Sequence, residues 1–408
     1  MAKTIWYISK YFAPSTINSD GGRGWLLMKE FASNGYRPVV ITSDSNNLID
    51  LPEFEKKVTT YMQSGVELVW LKTLKYSVAK SLKRILSWFH FEWNVFWLKK
   101  KDLAEPDVII VSSLSLLTII NGVLLKRKYK CKLVFEIRDI WPLTLVEEGG
   151  FSPNNVFVRF LGLVERLGYK RSDLIVGTMP NLGEHVKAVL GYEKSVTCIP
   201  MGVMPSMLVD KKDVPPDYID EYLNPKFFNI VHAGTVGITN ALDTFFEAAK
   251  ALRDNKKIRF VVVGDGALKE TYIEQYGHLE NLIFAPRVDK KQVQSVLSSA
   301  DLVYFSVFKS KVWDYGQSLN KVIDYMLSAK PVLASYSGYP SMINEAGCGY
   351  FISAEDVPAL VLKIEELSVM SEFELSEIGS KGRNWLLENR KYEKIANDYL
   401  NLLFDNEK

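Results

Sequence analysis

Short apolar runs rich in β-branched and aromatic residues recur along the chain and alternate with longer stretches of helical pattern. In the first half the runs are 4–9, 38–43, 66–71, 107–113, 132–137 and 173–178. In the second half they are 227–234, 258–266, 281–286, 301–307 and 330–335. Continuous rather than alternating apolar character is typical of strands buried on both faces of a parallel sheet. The pattern predicts an α/β fold with doubly wound sheets.

A chain of 408 residues is longer than a single hydrophobic core usually accommodates. A segment with several prolines and interspersed charges separates the two sets of strands. We therefore predict one domain over residues 1–204, a linker over 205–226 and a second domain over 227–385. A C-terminal helix over 386–408 completes the chain, and its return to the first domain is one option.

The apolar stretch 108–125 approaches the length of a membrane span. Polar and small residues interrupt it, so a strand, a turn and a helix are the favoured interpretation. The three cysteines are far apart and indicate neither a disulfide framework nor a zinc site. The N-terminus lacks the pattern of a secretory signal, and we expect a cytoplasmic protein.

Charge is distributed unevenly. Residues 1–204 carry 27 Lys/Arg against 19 Asp/Glu, whereas the remainder carries 23 against 29. The basic half is expected to face an anionic partner such as a membrane surface.

Two glycine-containing turns are candidates for phosphate binding. Gly21 and Gly22 precede a predicted helix, where free backbone N–H groups favour an anion, although a plain turn is an equal alternative. Gly264 and Gly266 follow a strong strand, but Lys269 replaces the third glycine of the dinucleotide fingerprint. A tight turn without a ligand is at least as good an explanation for the second site.

The segment 314–335 carries a sharper signal. Ser318 and Asn320 are good capping residues, and the turn through Leu319 is expected to aim backbone amides and the Lys321 ammonium at one anion. Asp324 lies three residues later on the same helical face, where a carboxylate suits ribose hydroxyls. The alternative is a surface salt bridge between Lys321 and Asp324.

This segment, SLNKVIDYMLSAKPVLAS, resembles the donor-binding element of family 4 glycosyltransferases, particularly bacterial O-antigen and capsule enzymes of the WbuB group of N-acetylfucosaminyl transferases. Four other stretches resemble that group in order and spacing: FEIRDIWPLTLVEEGG, VTCIPMGV, NIVHAGTVGITNALDTFFEAA and VVVGDGALKETY. The resemblance implies a GT-B fold with two Rossmann-like domains facing a central cleft. It also implies a UDP-sugar donor, a lipid-linked or saccharide acceptor and transfer with retention.

Residue roles follow from the resemblance. Asp324 stands where the second acid of the family's Glu-x7-Glu pattern holds the ribose. Gly234 and Thr235 are expected at the diphosphate, and Arg287 and Val288 near the uracil. The first acid of the pattern falls at Gly316, so a carboxylate contact to the donor sugar is absent or supplied elsewhere. The Arg-and-Lys pair often found early in the second domain is also missing, which places more of the phosphate neutralisation on Lys321.

On the acceptor side, Arg138 and Asp139 follow a strand whose carboxyl end is expected at the functional crevice. Asp139 is a candidate to orient or deprotonate an acceptor hydroxyl, and a structural Arg–Asp pair is the equal alternative. Fixed donors and a cation can stabilise a leaving diphosphate without metal. We expect no cofactor and no obligatory metal ion, since the four histidines are isolated from one another.

The segment 72–101 combines eight Lys/Arg with interleaved aromatic residues. This composition suits a lipid headgroup interface, and it predicts a peripheral site on the inner face of the plasma membrane near a lipid-diphosphate acceptor. The predicted contacts are Lys83, Arg84, Trp88, Trp93 and Trp97. The alternative is that the aromatic residues pack onto the core while the lysines are solvated.

Three other functions are compatible with parts of the sequence. A sugar-nucleotide epimerase can share the two-domain architecture, and a non-catalytic membrane-associated nucleotide-binding module would explain Gly316. Binding of single-stranded nucleic acid is disfavoured because no nucleic-acid module accompanies the basic aromatic segment.

Overall fold

The chain folds into two units. The computed structural model describes residues 2–17, 19–46, 54–76 and 81–404. One unit comprises Met1–Met201 and Tyr392–Lys408, and the other comprises Gly202–Lys391.

The described part of the first unit contains an eight-stranded sheet in the order β3-β4-β2-β1-β5-β6-β7-β8. Its strands are β1 Thr4–Ile8, β2 Arg37–Ser43, β3 Val58–Gln63, β4 Val66–Leu71, β5 Val108–Ser112, β6 Lys132–Ile137, β7 Leu174–Gly177 and β8 Val196–Cys198. Its helices before the chain enters the second unit are α1 Arg23–Ser33, α2 Leu82–Trp97, α3 Thr118–Tyr129, α4 Leu143–Glu147, α5 Val156–Arg171 and α6 Leu182–Leu190.

All strand pairs of this sheet are parallel except β3 with β4, which is antiparallel. Six of the strands coincide with predicted runs. Strand β3 was not predicted because its residues are alternately exposed and half-buried, so this edge strand has no continuous apolar run. Strand β8 was not predicted because it has only three residues.

The second unit contains a six-stranded parallel sheet in the order β11-β10-β9-β12-β13-β14. Its strands are β9 Phe228–Ala233, β10 Ile258–Val263, β11 Leu282–Ala285, β12 Leu302–Ser306, β13 Val332–Ser335 and β14 Gly349–Ile352. Its helices are α7 Pro205–Val209, α8 Pro216–Tyr222, α9 Asp243–Ala251, α10 Lys269–Tyr276, α11 Val293–Ser298, α12 Asn320–Leu327, α13 Met342–Ala346, α14 Val357–Ser368 and α15 Glu372–Asn389. On one face of the sheet, α9, α10 and α14 enclose a core that includes Phe245, Phe246 and Tyr304.

The segment predicted as a linker, 205–226, carries α7 and α8 and belongs to the second unit. The last helix, α16 Tyr392–Phe404, belongs to the first unit. It packs on α1, where the rings of Phe31 and Tyr399 meet edge to face with centroids 5.7 Å apart. The unit boundaries at residues 201 and 391 lie a few residues from the predicted ones.

The apolar stretch 108–125 comprises β5, a 3-10 segment Ser113–Ser115 and the start of α3. Across the described ranges, none of the helices has both the length and the apolar character that a membrane crossing requires.

Candidate nucleotide-sugar site

A pocket of about 660 Å³ lies at the carboxyl ends of the strands of the second unit. Parallel α/β sheets bind ligands at this edge because the loops and helix N-termini meet there. Six of the residues predicted for nucleotide binding line the pocket: Gly234, Thr235, Arg287, Val288, Lys321 and Asp324. Gly264, from the second candidate phosphate-binding turn, and its neighbour Asp265 also line the pocket. The remaining lining residues were not predicted: Ala233, Thr239, Asn240, Val263, Val293 and Val296.

The N-terminus of α12 brings Lys321 to this pocket. Leu319 is the N-cap in extended conformation, and no side chain caps the helix. The prediction that Ser318 and Asn320 cap the helix is therefore wrong, because the helix begins at Asn320 and Ser318 precedes the N-cap. The first turn contains no acidic residue. Its uncapped N–H groups and the helix dipole favour an anion at this end.

Asn240 fixes the Lys321 side chain. The ammonium of Lys321 donates a hydrogen bond to Oδ1 of Asn240. Nδ2 of Asn240 in turn donates to the carbonyl of Thr235 at 2.6 Å, and the hydroxyl of Ser306 donates to the Asn240 carbonyl at 2.7 Å. Asn240 thus links the loop after β9 to α12. Asn240 was not predicted as a site residue. The sequence feature that could have indicated it is its place as a polar residue in the turn before helix α9.

Burial shifts the pKa of two of the charged residues that line the pocket, Lys321 and Asp324. Burial lowers the pKa of Lys321 to about 8, and burial raises the pKa of Asp324 to about 6, with a partly compensating effect of the Lys290 charge. In the part of the chain that the structure describes, no ion pair joins Lys321 and Asp324. The alternative of a surface salt bridge between them is not supported by these contacts.

The Gly264–Gly266 turn packs against the loop after β9. A Cβ atom on Gly264 would lie 1.9 Å from the carbonyl oxygen of Gly234, so only glycine fits. Lys269 donates from Nζ to the carbonyls of Gly264, at 2.8 Å, and Ala285, at 3.4 Å. This lysine holds the turn together from within the protein.

His232 lies beneath the pocket floor and is fully buried. Its Nδ1 donates to the carbonyl of Tyr304 at 3.2 Å. Burial, together with the charge of Lys321, lowers its pKa to about 3, so the ring is neutral. His232 is therefore a core residue of the second unit.

Gly316 explains why the first acid of the pattern is absent. It follows the 3-10 segment Lys311–Tyr315 and has a φ of +102°, a left-handed conformation that residues with a side chain rarely adopt. A glutamate at this position would strain the backbone. The loop therefore approaches α12 by a path that excludes a carboxylate at residue 316.

In the first unit, Gly21 has a φ of +86°, and a Cβ atom there would lie 2.6 Å from the Trp25 ring. The N–H of Gly22 donates to the carbonyl of Ala13 at 2.8 Å. The backbone conformation and close packing explain why glycine is found at residue 21. The Gly22 amide already has a hydrogen-bond acceptor within the protein. Their contact with a phosphate stays a prediction.

Asp139 in the loop after β6 accepts two side-chain hydrogen bonds. They come from the Trp141 indole at 2.7 Å and the Thr144 hydroxyl at 2.7 Å. The backbone N–H of Arg138 donates to the Ser113 hydroxyl at 3.0 Å, and its Nε is buried without a hydrogen bond. Both carboxylate oxygens of Asp139 thus hold the loop, and a role on an acceptor stays a prediction.

The predicted membrane-contact residues differ in exposure. Lys83, Trp93 and Trp97 are exposed on α2. Trp88 is only 6% exposed and its indole donates to the Tyr11 hydroxyl at 2.7 Å, so the prediction that it contacts a membrane is wrong. It is a core residue because the apolar face of α2 turns it inward. Arg84 is half-buried, and its Nε donates to the same hydroxyl at 3.1 Å.

Across the described residues, no group of three or more His, Cys, Asp or Glu side chains is arranged to hold a metal ion.

Comparison with known proteins finds similarity to glycosyltransferases. Residues 228–370 match the family model of the group 1 glycosyl transferases. The matched region contains every residue that lines the pocket. The chain is also 23% identical over 311 residues to the Probable glycosyltransferase WbjE of Pseudomonas aeruginosa, which covers 73% of this chain and 75% of that protein. Both matches support glycosyltransferase activity.

Solved structures show that the fold is GT-B. Sucrose-phosphate synthase from Thermosynechococcus elongatus superposes with a TM-score of 0.69 at 15% identity, covering 98% of both chains. The E. coli trehalose-6-phosphate structure bound with UDP-2-fluoro glucose gives a TM-score of 0.73 at 12% identity, covering 98% of this chain and 99% of that one. Anabaena HepE in complex with UDP and glucose gives 0.61 at 14% identity, covering 98% of both chains.

Proposed function

We propose that this protein is a glycosyltransferase that moves a sugar from a UDP-sugar to a lipid-linked or saccharide acceptor in bacterial surface polysaccharide synthesis. The observation that carries the proposal is the pocket in which Lys321, Asp324 and the Gly234-Thr235 loop meet. Donor-bound neighbours of the same fold carry UDP or a UDP-sugar. The resemblance to the WbuB group suggests an N-acetylated amino or deoxyamino sugar, and transfer with retention.

The diphosphate of the donor would lie between the Gly234-Thr235 loop and the N-terminus of α12. There the Lys321 ammonium and uncapped backbone N–H groups offer positive charge to the leaving group as the glycosidic bond breaks. Asn240 is the positioning residue, because it holds the ammonium in place. We propose that this arrangement works without an obligatory metal ion.

The nucleoside would occupy the other side of the pocket. Asp324, when ionised, accepts hydrogen bonds from the ribose hydroxyls, and Arg287 and Val288 lie against the base. Val293 and Val296 of α11 supply apolar surface there. The pocket thus combines apolar valines with fixed polar and charged groups, which suits a ligand that has a flat base and a charged diphosphate.

The acceptor is proposed to be a lipid-diphosphate-linked saccharide at an anionic membrane surface. The support is the outer face of α2, which presents Trp93 and Trp97 together with Lys83. Indole rings and lysines favour the boundary between lipid headgroups and hydrocarbon. These exposed residues support the proposal that the enzyme works at the inner face of the plasma membrane.

The donor assignment can be tested with a thermal-shift panel of UDP- and GDP-linked sugars with and without N-acetyl groups. We expect UDP-sugars to raise the melting temperature of the wild-type chain, since a ligand that binds only the native state stabilises it. The Lys321→Ala variant should lose the shift. An equal shift in wild type and variant would remove Lys321 from the site.

Incubation of the preferred UDP-sugar without acceptor separates transfer from epimerisation. A glycosyltransferase leaves the sugar nucleotide unchanged apart from slow hydrolysis, whereas an epimerase converts it. Turnover to an isomeric UDP-sugar would overturn the proposal. The same incubation with EDTA, plus a membrane extract as acceptor source, tests metal independence.

A further inference from the structure

A second cavity, of about 1030 Å³, opens between α2 and the β3–β4 edge of the first unit. Its apolar wall includes Trp93, Trp97, Val58, Leu74 and Leu98. The two tryptophans are 63% and 62% exposed, with ring centroids 5.7 Å apart. Indoles left open in this way form an apolar surface that a ligand can cover.

The walls of this groove are fixed by hydrogen bonds. The Leu74 amide donates to Nδ1 of His90 at 3.1 Å, and Nδ2 of Asn94 donates to the Lys72 carbonyl at 3.0 Å. The buried ammonium of Lys100 donates to the carbonyls of Val95, at 2.6 Å, and of Phe96 and Leu98. It thereby holds the C-terminus of α2, which carries Trp97, in place.

The charges around the groove are predominantly positive. Lys57, Lys72, Lys75 and Lys99 line it, with Asp102 as the acidic lining residue. Lys75 pairs with the buried Asp44 at 3.1 Å. For Lys57, Lys72 and Lys99, no carboxylate of a described residue lies within ion-pair distance. An apolar groove flanked by lysines that have no ion-pair partner among the described residues complements a ligand that has a hydrocarbon chain and an anionic head.

We infer that this groove binds a lipid phosphate, with one hydrocarbon chain along Trp93 and Trp97 and the phosphate or diphosphate at the lysines. The inference rests on the proposed function only for the statement that this lipid belongs to the acceptor. It goes beyond a membrane contact, because a flat contact would use every exposed apolar residue of α2 alike. Phe89 is 46% exposed on the same helix but does not line the groove.

The test is equilibrium binding of labelled geranylgeranyl diphosphate, below its micelle concentration, to the full chain. Saturating UDP is included so that the diphosphate cannot occupy the pocket of the second unit. We expect Trp93→Ser/Trp97→Ser to weaken binding about tenfold or more, since each indole contributes buried apolar area. Phe89→Ser is the matched control and should stay within about twofold of wild type.

Chemistry of the ligand is tested by three competitors. Geranylgeraniol lacks the anion, inorganic diphosphate lacks the chain, and dihexanoyl phosphatidylglycerol carries two short chains; each should compete about tenfold less well or worse. The Lys72→Ala/Lys99→Ala variant should lose the preference for the diphosphate over the alcohol. Trp93→Phe/Trp97→Phe keeps an apolar wall and should restore most of the binding, which excludes misfolding as the cause.

The inference is overturned if Phe89→Ser weakens binding as much as the double tryptophan variant, or if the alcohol binds as well as the diphosphate. Equal or better binding of phosphatidylglycerol would assign the groove to a membrane phospholipid instead. UDP-dependent thermal shifts are measured in the same samples. The UDP-dependent thermal shift depends on the pocket of the second unit. If the groove inference is wrong, lipid-phosphate binding fails while the shift persists; if the donor assignment is wrong, the shift is absent.

Discussion

Both units are built on parallel sheets, but two sets of buried charges in them act in opposite ways: the Arg23–Glu136 pair of the first unit and the pocket residues Lys321 and Asp324 of the second. In the first unit, the buried ion pair of Arg23 with Glu136, at 2.6 Å, has both side chains fully inaccessible. In the second unit, Lys321 and Asp324 share a pocket without an ion pair to each other. A charge that has its partner within the protein supports the fold, whereas a partly buried charge without one is available to a ligand.

The Arg23–Glu136 pair gives the largest expected effect. Arg23 donates to Glu136 and also to the Ile199 carbonyl at 2.8 Å, while the Tyr7 hydroxyl donates to Glu136 at 3.1 Å. Arg23→Met leaves Glu136 buried without its cation, which should lower the free energy of unfolding by about 3–5 kcal/mol. Urea denaturation followed by circular dichroism measures this.

The control for this prediction is Arg23→Met/Glu136→Leu, which removes both charges. It should recover a large part of the loss, because no unpaired charge remains buried. A single variant as stable as wild type would mean that the pair does not support the fold. UDP-induced stabilisation of the folded fraction should persist in both variants, since the pocket lies in the other unit.

Lys269 and Lys321 show the same contrast within the second unit: one ammonium supports the fold and the other is available to a ligand. Lys269 uses its ammonium on two backbone carbonyls, whereas Lys321 lines the pocket and is held by Asn240. Lys321→Met should weaken the affinity for a UDP-sugar by about 1.5–3 kcal/mol, the usual value of a hydrogen bond to a charged group. Lys269→Met should lower the melting temperature and leave the affinity nearly unchanged.

Isothermal titration calorimetry, with differential scanning calorimetry for stability, separates the two effects. A loss of affinity in Lys269→Met equal to that in Lys321→Met would break the contrast. It would mean that the Gly264–Gly266 turn, and not the charge of Lys321, determines donor binding.

The pKa values of the pocket predict a bell-shaped pH dependence of donor affinity. Asp324 becomes ionised, and able to accept from ribose, as the pH rises through about 6. Lys321 loses its charge as the pH rises through about 8. The affinity should therefore increase through the first value and decrease through the second, by up to about tenfold per unit of pH outside this range.

Titrations with UDP-N-acetylglucosamine between pH 5 and pH 9 test this, because its diphosphate has no proton to lose in that range. Lys321→Arg should keep its charge and abolish the alkaline decrease, and Asp324→Asn should abolish the acidic one. An affinity independent of pH across the range would exclude both groups from the donor contact.

The sequence predicted the sheets well because most strands are buried on both faces and therefore read as continuous apolar runs. Six of the predicted residues line the pocket. Lys321 and Asp324 were predicted from their spacing at the start of a helix, whereas Gly234, Thr235, Arg287 and Val288 were implied by the family resemblance. Asn240 was not assigned to the site because its role depends on a contact with Lys321, which lies far away in the sequence. Trp88 was placed at a membrane because composition does not reveal which face of a helix is buried.

Asp139 offers the smallest expected effect and tests the first unit's side of the contrast. Its carboxylate accepts from Trp141 and Thr144, so Asp139→Asn should lower the free energy of unfolding by about 1 kcal/mol, the value of a typical hydrogen bond. UDP-sugar affinity should be unchanged. If Asp139 only holds the loop, the substitution should raise the acceptor KM at most, and kcat and the pH–rate profile should stay unaltered. A large loss of kcat with normal stability would instead make Asp139 the group that contacts the acceptor, and the contrast between the units would no longer extend to this loop.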